Sequence, residues 1–311
     1  MRIAVTGGTG FVGSHLVAAL LAAGHELRVV GRGAHRGTPP TGLRPTFGDV
    51  LSGEGLGAAF AGADAVVHLA AVIRERGPQT FAAVNADGTR TVVRAAEAAG
   101  ARRLVHVSAL GADPDPTFPY LASRWQGEEW VRSSQLDWVI VRSSVIFGPG
   151  DGFFSQLARA VRLPQPVIVV PGDGTQLFQP IAIGDVVRCL VAATTEPERR
   201  HHLYEIGGPE HVSLETLFRL VAAVTEADWL LTSRKRFIHV PIELLRPMAL
   251  VMGRLLPHPL VTAAQLDLLA RPNVTQLDAV PLGFGFAPTA LADGLEHLRP
   301  RHPLLERLAE A

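Results

Sequence analysis

Met1-Arg2-Ile3-Ala4-Val5-Thr6-Gly7-Gly8-Thr9-Gly10-Phe11-Val12-Gly13 opens the chain. Ile3 to Val5 read as a short buried strand, and the glycines after them as a tight turn into a helix beginning near Phe11. Residues without Cβ let the turn adopt φ > 0, let a pyrophosphate approach the backbone, and let helix and strand pack closely. The free N–H groups and dipole of the helix start then face an anion seated in the turn. In a chain with 31 glycines, Gly8-x-Gly10-x-x-Gly13 is a weak signal by itself. Its context strengthens it: an amphipathic run (Phe11, Val12, Leu16, Val17, Leu20, Leu21), a stop at Gly24, and a second strand at Leu27–Val30. This is the pattern of a dinucleotide site.

Strand and helix signals alternate outward from that stretch. They comprise a strand ending in Thr46-Phe47-Gly48-Asp49-Val50, a short helix over 55–60, an apolar strand over 65–71 and a helical run over 80–99. A strand over 104–108, a helix over 120–133 and a strand over 138–141 follow. Strands that are apolar throughout, separated by helices, predict a parallel sheet covered on both faces. The second half is cut by Pro149, Pro164, Pro166, Pro171 and Pro180, with a helix over 185–195 and a strand over 203–206 expected to return to the sheet. From Ser213, an N-cap with Glu215 in the first turn, the chain reads as mainly helical. The predicted fold class is α/β, a Rossmann-type doubly wound parallel sheet with a smaller, mainly helical C-terminal lobe. The sheet domain takes 1–145 and regains about 183–206; the lobe takes 146–182 and 207–311.

Composition narrows the partners. A formal net charge of +0 gives no electrostatic grip on nucleic acid or an anionic membrane surface. The single cysteine, Cys189, sits in an apolar helical run and reads as a small core residue. The first strand begins at once, leaving no room for a leader, and no apolar run reaches the roughly 18 residues of a membrane span. These features predict a cytoplasmic protein acting on a small molecule. The 12 histidines show no pair at metal-ligand spacing on a helix, and no Gly-x-Ser-x-Gly elbow is present, so neither a metal site nor a serine hydrolase is expected. The apolar stretch from Phe237 to Leu256 reads as a packed helix roofing the cleft. The alternative is a surface for an apolar substrate, a membrane face or a partner complex.

The end of the second strand bears on the choice of nucleotide. NAD sites place an acid there for the ribose 2′-OH. This chain has Val29-Val30-Gly31-Arg32 with Arg36 nearby, guanidinium groups suited to a 2′-phosphate, which favours NADP(H) over NAD(H).

Several motifs together resemble the extended and atypical short-chain dehydrogenase/reductases, the NAD-dependent epimerase/dehydratase-like proteins. They are Thr6-Gly7-x-x-Gly10-x-x-Gly13, Gly48-Asp49-Val50, Val67-His68-Leu69-Ala70-Ala71, Asn85-x-x-Gly88-Thr89, Val107-Ser108-Ala109 and Tyr120-x-x-Ser123-Arg124. Three further segments resemble the branch related to the NAD(P)H-binding accessory subunit of respiratory complex I: Ser108 to Ala112, Ile146 to Phe153, and Gln179 to Val186. The resemblance covers the first two hundred residues well and the last hundred loosely.

It implies that Gly7, Thr9, Gly10, Phe11, Val12 and Gly13 line the pyrophosphate, Asp49 and Val50 flank the adenine, and Leu69, Ala70 and Ala71 line the ribose and nicotinamide. Ser143 joins the cofactor pocket. Ser108 is implied to bind a substrate oxygen, and Tyr120 to act as acid/base. The family helps that tyrosine with a lysine four residues on, one helical turn away. Here the position is Arg124, which supplies charge and donors but cannot release a proton. Arg142-Ser143-Ser144 also departs, where proline commonly follows the arginine. Three functions follow from the resemblance: an NADP(H)-dependent oxidoreductase of carbonyls or alcohols; a non-catalytic nucleotide-binding subunit, assembly factor or redox sensor; or a sugar-nucleotide epimerase/dehydratase.

Overall fold

The computed structural model describes residues 1–33, 41–163, 166–225, 235–255 and 261–299. Arg36, one of the two arginines assigned to a 2′-phosphate, lies outside the described residues. The first half alternates as the apolar runs dictate: β1 (Arg2–Thr6), α1 (Phe11–Ala22), β2 (Glu26–Gly31), β3 (Leu43–Phe47), α2 (Leu56–Phe60) and β4 (Ala65–His68). Next come α3 (Gly88–Ala98), β5 (Arg103–Ala109), α4 (Pro119–Arg132) and β6 (Asp137–Ser143). After β7 (Ile146–Phe147) and α5 (Phe153–Arg162) come β8 (Val167–Pro171), β9 (Leu177–Phe178), β10 (Ile181–Ala182), α6 (Ile183–Thr195) and β11 (His202–Ile206). The chain continues as β12 (Val212–Ser213), α7 (Leu214–Thr225), β13 (Arg236–Val240), α8 (Ile242–Leu255), α9 (Ala263–Leu268) and α10 (Ala279–Phe284).

Seven strands form one sheet in the order β11-β6-β5-β4-β1-β2-β3, every pair parallel. Along β1 the side chains divide between two cores. Ile3 and Val5 pack with Leu16, Leu20, Val186 and Leu190 of α1 and α6, while Ala4 packs with Phe60, Val92 and Val131 of α2, α3 and α4. Cys189 is fully buried in the first of these, and desolvation pushes its thiol up to about 12, so it is an inert packing residue. The order reverses direction between β1 and β4. That switch point leaves a crevice beyond the strand ends.

A third core joins α5, α7 and the short sheets through Phe147, Phe154, Val161, Ile168, Leu217 and Leu298. The α7 start is capped as its sequence suggests, with Ser213 Oγ accepting from Thr216 N at 3.1 Å. Two readings need correction. The helical run over 80–99 contains a wider i→i+5 segment, Ala82–Asp87, before α3 begins. The supposed roof helix starts as a strand: β13 pairs in parallel with β8, satisfying backbone groups that a helix would have satisfied internally. Among its described side chains, helix α8 then buries only Leu245 and Ala249, against Leu266, and leaves Leu244, Met248, Val251 and Leu255 exposed. No described helix is long and apolar enough to cross a membrane.

Candidate functional site

Each glycine of the first turn has a separate task. Gly7 has φ +70, and a Cβ there would stand 2.7 Å from Ala70 N. A Cβ on Gly13 would stand 2.2 Å from Gly7 O, so that glycine brings α1 against the turn. Gly10 closes the turn through its N–H to Gly7 O at 3.0 Å and is exposed with Thr9 at the rim. Helix α1 has no side chain capping its start and no acid in its first turn. Its N-terminal N–H groups therefore remain available to an anion, and a backbone cradle beside them fits a pyrophosphate.

The other assigned residues surround this turn unevenly. Leu69 and Ala70 are half-buried and Ala71 exposed, with Leu69 N donating to Thr6 O at 3.1 Å. Asp49 spends one carboxylate oxygen on Leu51 N at 2.9 Å, and Val50 packs beside Gly88. Arg32 is exposed at the end of β2, and the Gln79 amide lies 2.8 Å from both its Nη1 and Nη2, a contact that is satisfied when the amide is oriented with its oxygen toward the guanidinium. Ser143 is buried at the end of β6, where its carbonyl accepts from Leu110 N at 3.0 Å.

Ser108, Tyr120 and Arg124 lie on β5 and on the helix packed over it. Ser108 is 3% exposed, and its Oγ is buried with no partner. Tyr120 is half-buried and meets Phe81 edge-on, with ring centroids 5.6 Å apart. Arg124 is buried with Nη2 donating to Val107 O and Nε unpartnered. Burial depresses its pKa, partly offset by Tyr120 and Glu128. Asn85 ties the site together: its Oδ1 accepts from Val72 N at 2.9 Å, and Nδ2 donates to Val72 O at 3.0 Å and Ser123 Oγ at 3.1 Å.

Sequence reading missed the polar layer beneath. His68 and His106, on β4 and β5, stack at 5.2 Å. Thr89 Oγ1 donates to Asn85 O at 2.7 Å, so it must accept from His68 Nε2–H at 3.1 Å; Nδ1 then accepts from Thr6 Oγ1 at 2.7 Å. His68 is thus a neutral imidazole, and burial, with Arg124 nearby, lowers its pKa to about 3. Burial and the same arginine hold His106 well below its ordinary value, and neither of its ring nitrogens has a partner. Below about pH 6.5 the unfolded chain binds protons at both positions that the native state refuses, so stability is full above that pH and falls as pH drops toward 3. We expect His106→Leu to lose stability less steeply, by up to about 1.4 kcal/mol per pH unit. Urea unfolding at neutral and mildly acidic pH measures this; parallel pH profiles for wild type and variant would refute it.

An α/β nucleotide-binding protein with its glycine turn at the sheet's switch point is what this fold and site define. Residues 3–207 match the NAD dependent epimerase/dehydratase family, and the chain belongs to that family. It is 38% identical over 168 residues to a ceramide reductase of Caulobacter vibrioides, covering 52% of this chain and 53% of that one. It is 25% identical over 189 residues to the NADH-ubiquinone oxidoreductase 40 kDa subunit of Neurospora crassa, covering 60% and 47%. The chain spans about half the length of these relatives. Among solved structures, MoeE5 in complex with UDP-glucose and NAD superposes with a TM-score of 0.72 at 24% identity over 100% of both chains, a likeness of fold.

Proposed function

We propose that the protein is an NADP(H)-dependent oxidoreductase acting on a carbonyl or alcohol at Ser108, Tyr120 and Arg124. The observation that carries this reading is the unpartnered Oγ of buried Ser108. A buried hydroxyl without a partner is costly, and a substrate oxygen satisfies it. A nicotinamide held beside the glycine turn would supply or accept the hydride. Ser108 orients the substrate oxygen, Tyr120 exchanges its proton, and Arg124 sets the charge beneath the tyrosine. Reductases among the relatives support the reaction class.

Arg32 supports the choice of NADP(H): its guanidinium is exposed at the end of β2 and turns both Nη atoms to one side, where the Gln79 amide, oriented oxygen-first, meets them, a fork that also suits a phosphate. The test is NADPH and NADH consumption against aldehydes, ketones, sugar nucleotides and quinones, with affinities read from tryptophan fluorescence. Arg32→Ala should weaken NADPH binding by about 1.5–3 kcal/mol and leave NADH unaffected. Equal loss for both cofactors, or tighter NADH binding by the wild type, would contradict the assignment.

A second reading has an observation of its own. Arg124 turns a donor onto the Val107 carbonyl, as a structural arginine does. A nucleotide-holding subunit without turnover is the form that reading takes, and the likeness to the 40 kDa subunit agrees with it.

A further inference from the structure

Arg32 and Gln79 reach one another from opposite sides of β1. Arg32 follows β2 and Gln79 lies on the loop after β4, yet the amide stands 2.8 Å from both Nη atoms of the arginine. Strands β4 and β2 flank β1 in the parallel sheet. The contact therefore bridges two strand spacings, about 10 Å, beyond the strand that runs into the glycine turn. The loop is built to hold the amide there. Arg76 and Gln79 exchange both backbone hydrogen bonds at 3.0 Å, closing a tight hairpin around Gly77, at φ +53, and Pro78. Glu75 Oε1 accepts from Phe81 N at 2.8 Å, and Thr80 Oγ1 accepts from Ala83 N at 3.1 Å. These two bonds fasten the hairpin to the helical run behind it.

Gln79 is half-buried, whereas Arg32 is exposed. A long exposed arginine samples many rotamers, and a ligand that fixes it meets the entropic cost. Oriented oxygen-first, the Gln79 amide keeps both Nη donors on one side, as a phosphate oxygen would. The amide is also easily displaced. It is a neutral acceptor, while a phosphate brings full negative charge to the same fork and wins the exchange. Turned over, the displaced amide offers its NH2 group to a phosphate oxygen. A ribose hydroxyl carries no charge with which to take the amide's place.

We propose that Gln79 is a specificity-determining residue for the cofactor, holding the Arg32 fork ready and then donating to the 2′-phosphate. The assignment rests on the NADP(H) reading of Arg32. It adds a second reader of the phosphate from a segment 47 residues further along the chain, on the other side of the glycine turn.

Affinities for NADPH and NADH, read from tryptophan fluorescence on the full chain and its variants, test the assignment. Gln79→Glu keeps the size and shape of the side chain but sets a carboxylate against Arg32. It should weaken NADPH binding about 100-fold, and leave NADH within about twofold of wild type. Gln79→Met, which removes the amide and keeps the length, should weaken NADPH about tenfold. In an Arg32→Ala background the same Gln79→Met change should cost at most about threefold, because the amide acts largely through the arginine. Retained NADH binding shows that each variant is folded. Equal losses for the two cofactors in Gln79→Glu, or full additivity of Gln79→Met with Arg32→Ala, would overturn the role of Gln79 and leave that of Arg32 standing. A wild type with no preference for NADPH defeats the NADP(H) reading, and the role of Gln79 falls with it.

Discussion

Tyr120→Phe is expected to slow NADPH-dependent turnover by a factor of about 10²–10⁴, the usual worth of general acid–base catalysis. The ring remains to meet Phe81, so folding and nucleotide binding should change little, and the loss should fall on kcat. Arg124 sharpens the experiment. Its side chain is buried, donates to the Val107 carbonyl and leaves Nε unpartnered. If it serves the tyrosine, Arg124→Lys should keep or raise turnover, because an ammonium restores a compact charge one helical turn below Tyr120. If the protein only holds its nucleotide, neither substitution should alter any measurable rate, and Arg124→Ala should weaken binding alone. A wild-type rate that survives Tyr120→Phe would remove Tyr120 from the chemistry.

Glu128→Ala is expected to destabilise the fold by about 3–5 kcal/mol, the cost of stranding buried charge. The Glu128 carboxylate is fully buried and receives both arms of Arg142, Nε and Nη2, at 2.8 Å each. Arg132 Nη2 adds a third bond at 2.7 Å. The pairing with Glu128 raises the Arg142 pKa, and the guanidinium stays charged at neutral pH even when that support is lost, because an arginine side chain does not deprotonate there. Replacing both members, Glu128→Leu with Arg142→Met, should recover most of the loss, because a packed apolar pair carries no desolvation penalty. Urea unfolding of wild type, single and double variants measures both effects. A double variant no better than the single would mean that the arginine is not the source of the cost.

Apolar periodicity and punctuation made the sheet legible. Continuous runs such as Ala65–His68 and Leu104–Val107 have one stable use, inside a parallel sheet, and Gly24 and Gly100 mark helix ends. The glycine turn was equally clear, because close approaches at Gly7 and Gly13 leave few alternatives to glycine. What local pattern could not supply was long-range pairing. Phe237 to Val240 are apolar enough for a helix, and only β8 makes them a strand. His106 looked like one more strand residue; only the arrival of His68 and Arg124 on the same face gives it an environment. Glu128 carried a faint signal, standing four residues after Arg124 on α4, but its partner Arg142 comes from another strand. The departure at Arg142-Ser143-Ser144 now has a physical content. Arg142 serves Glu128, and Ser144 donates to Gln179 O at 2.5 Å, so the segment is held by side chains where a proline ring would stiffen it.

Gln179 imposes an order of events on synthesis. Its amide nitrogen donates to Gly208 O at 2.7 Å and Gln276 O at 3.3 Å, and its oxygen accepts from Thr275 N at 2.7 Å. It is wholly buried, and a Cβ on Gly207 would collide with it at 2.4 Å. While the nascent chain is still short of Thr275, this amide lacks two of its three partners, however complete the strands before it are. A loop of nearly a hundred residues must close for one side chain to be satisfied, an entropic debt that grows only slowly with loop length but falls due late. The junction between sheet and lobe is therefore sealed from the far end of the chain, after the nucleotide turn has long left the ribosome.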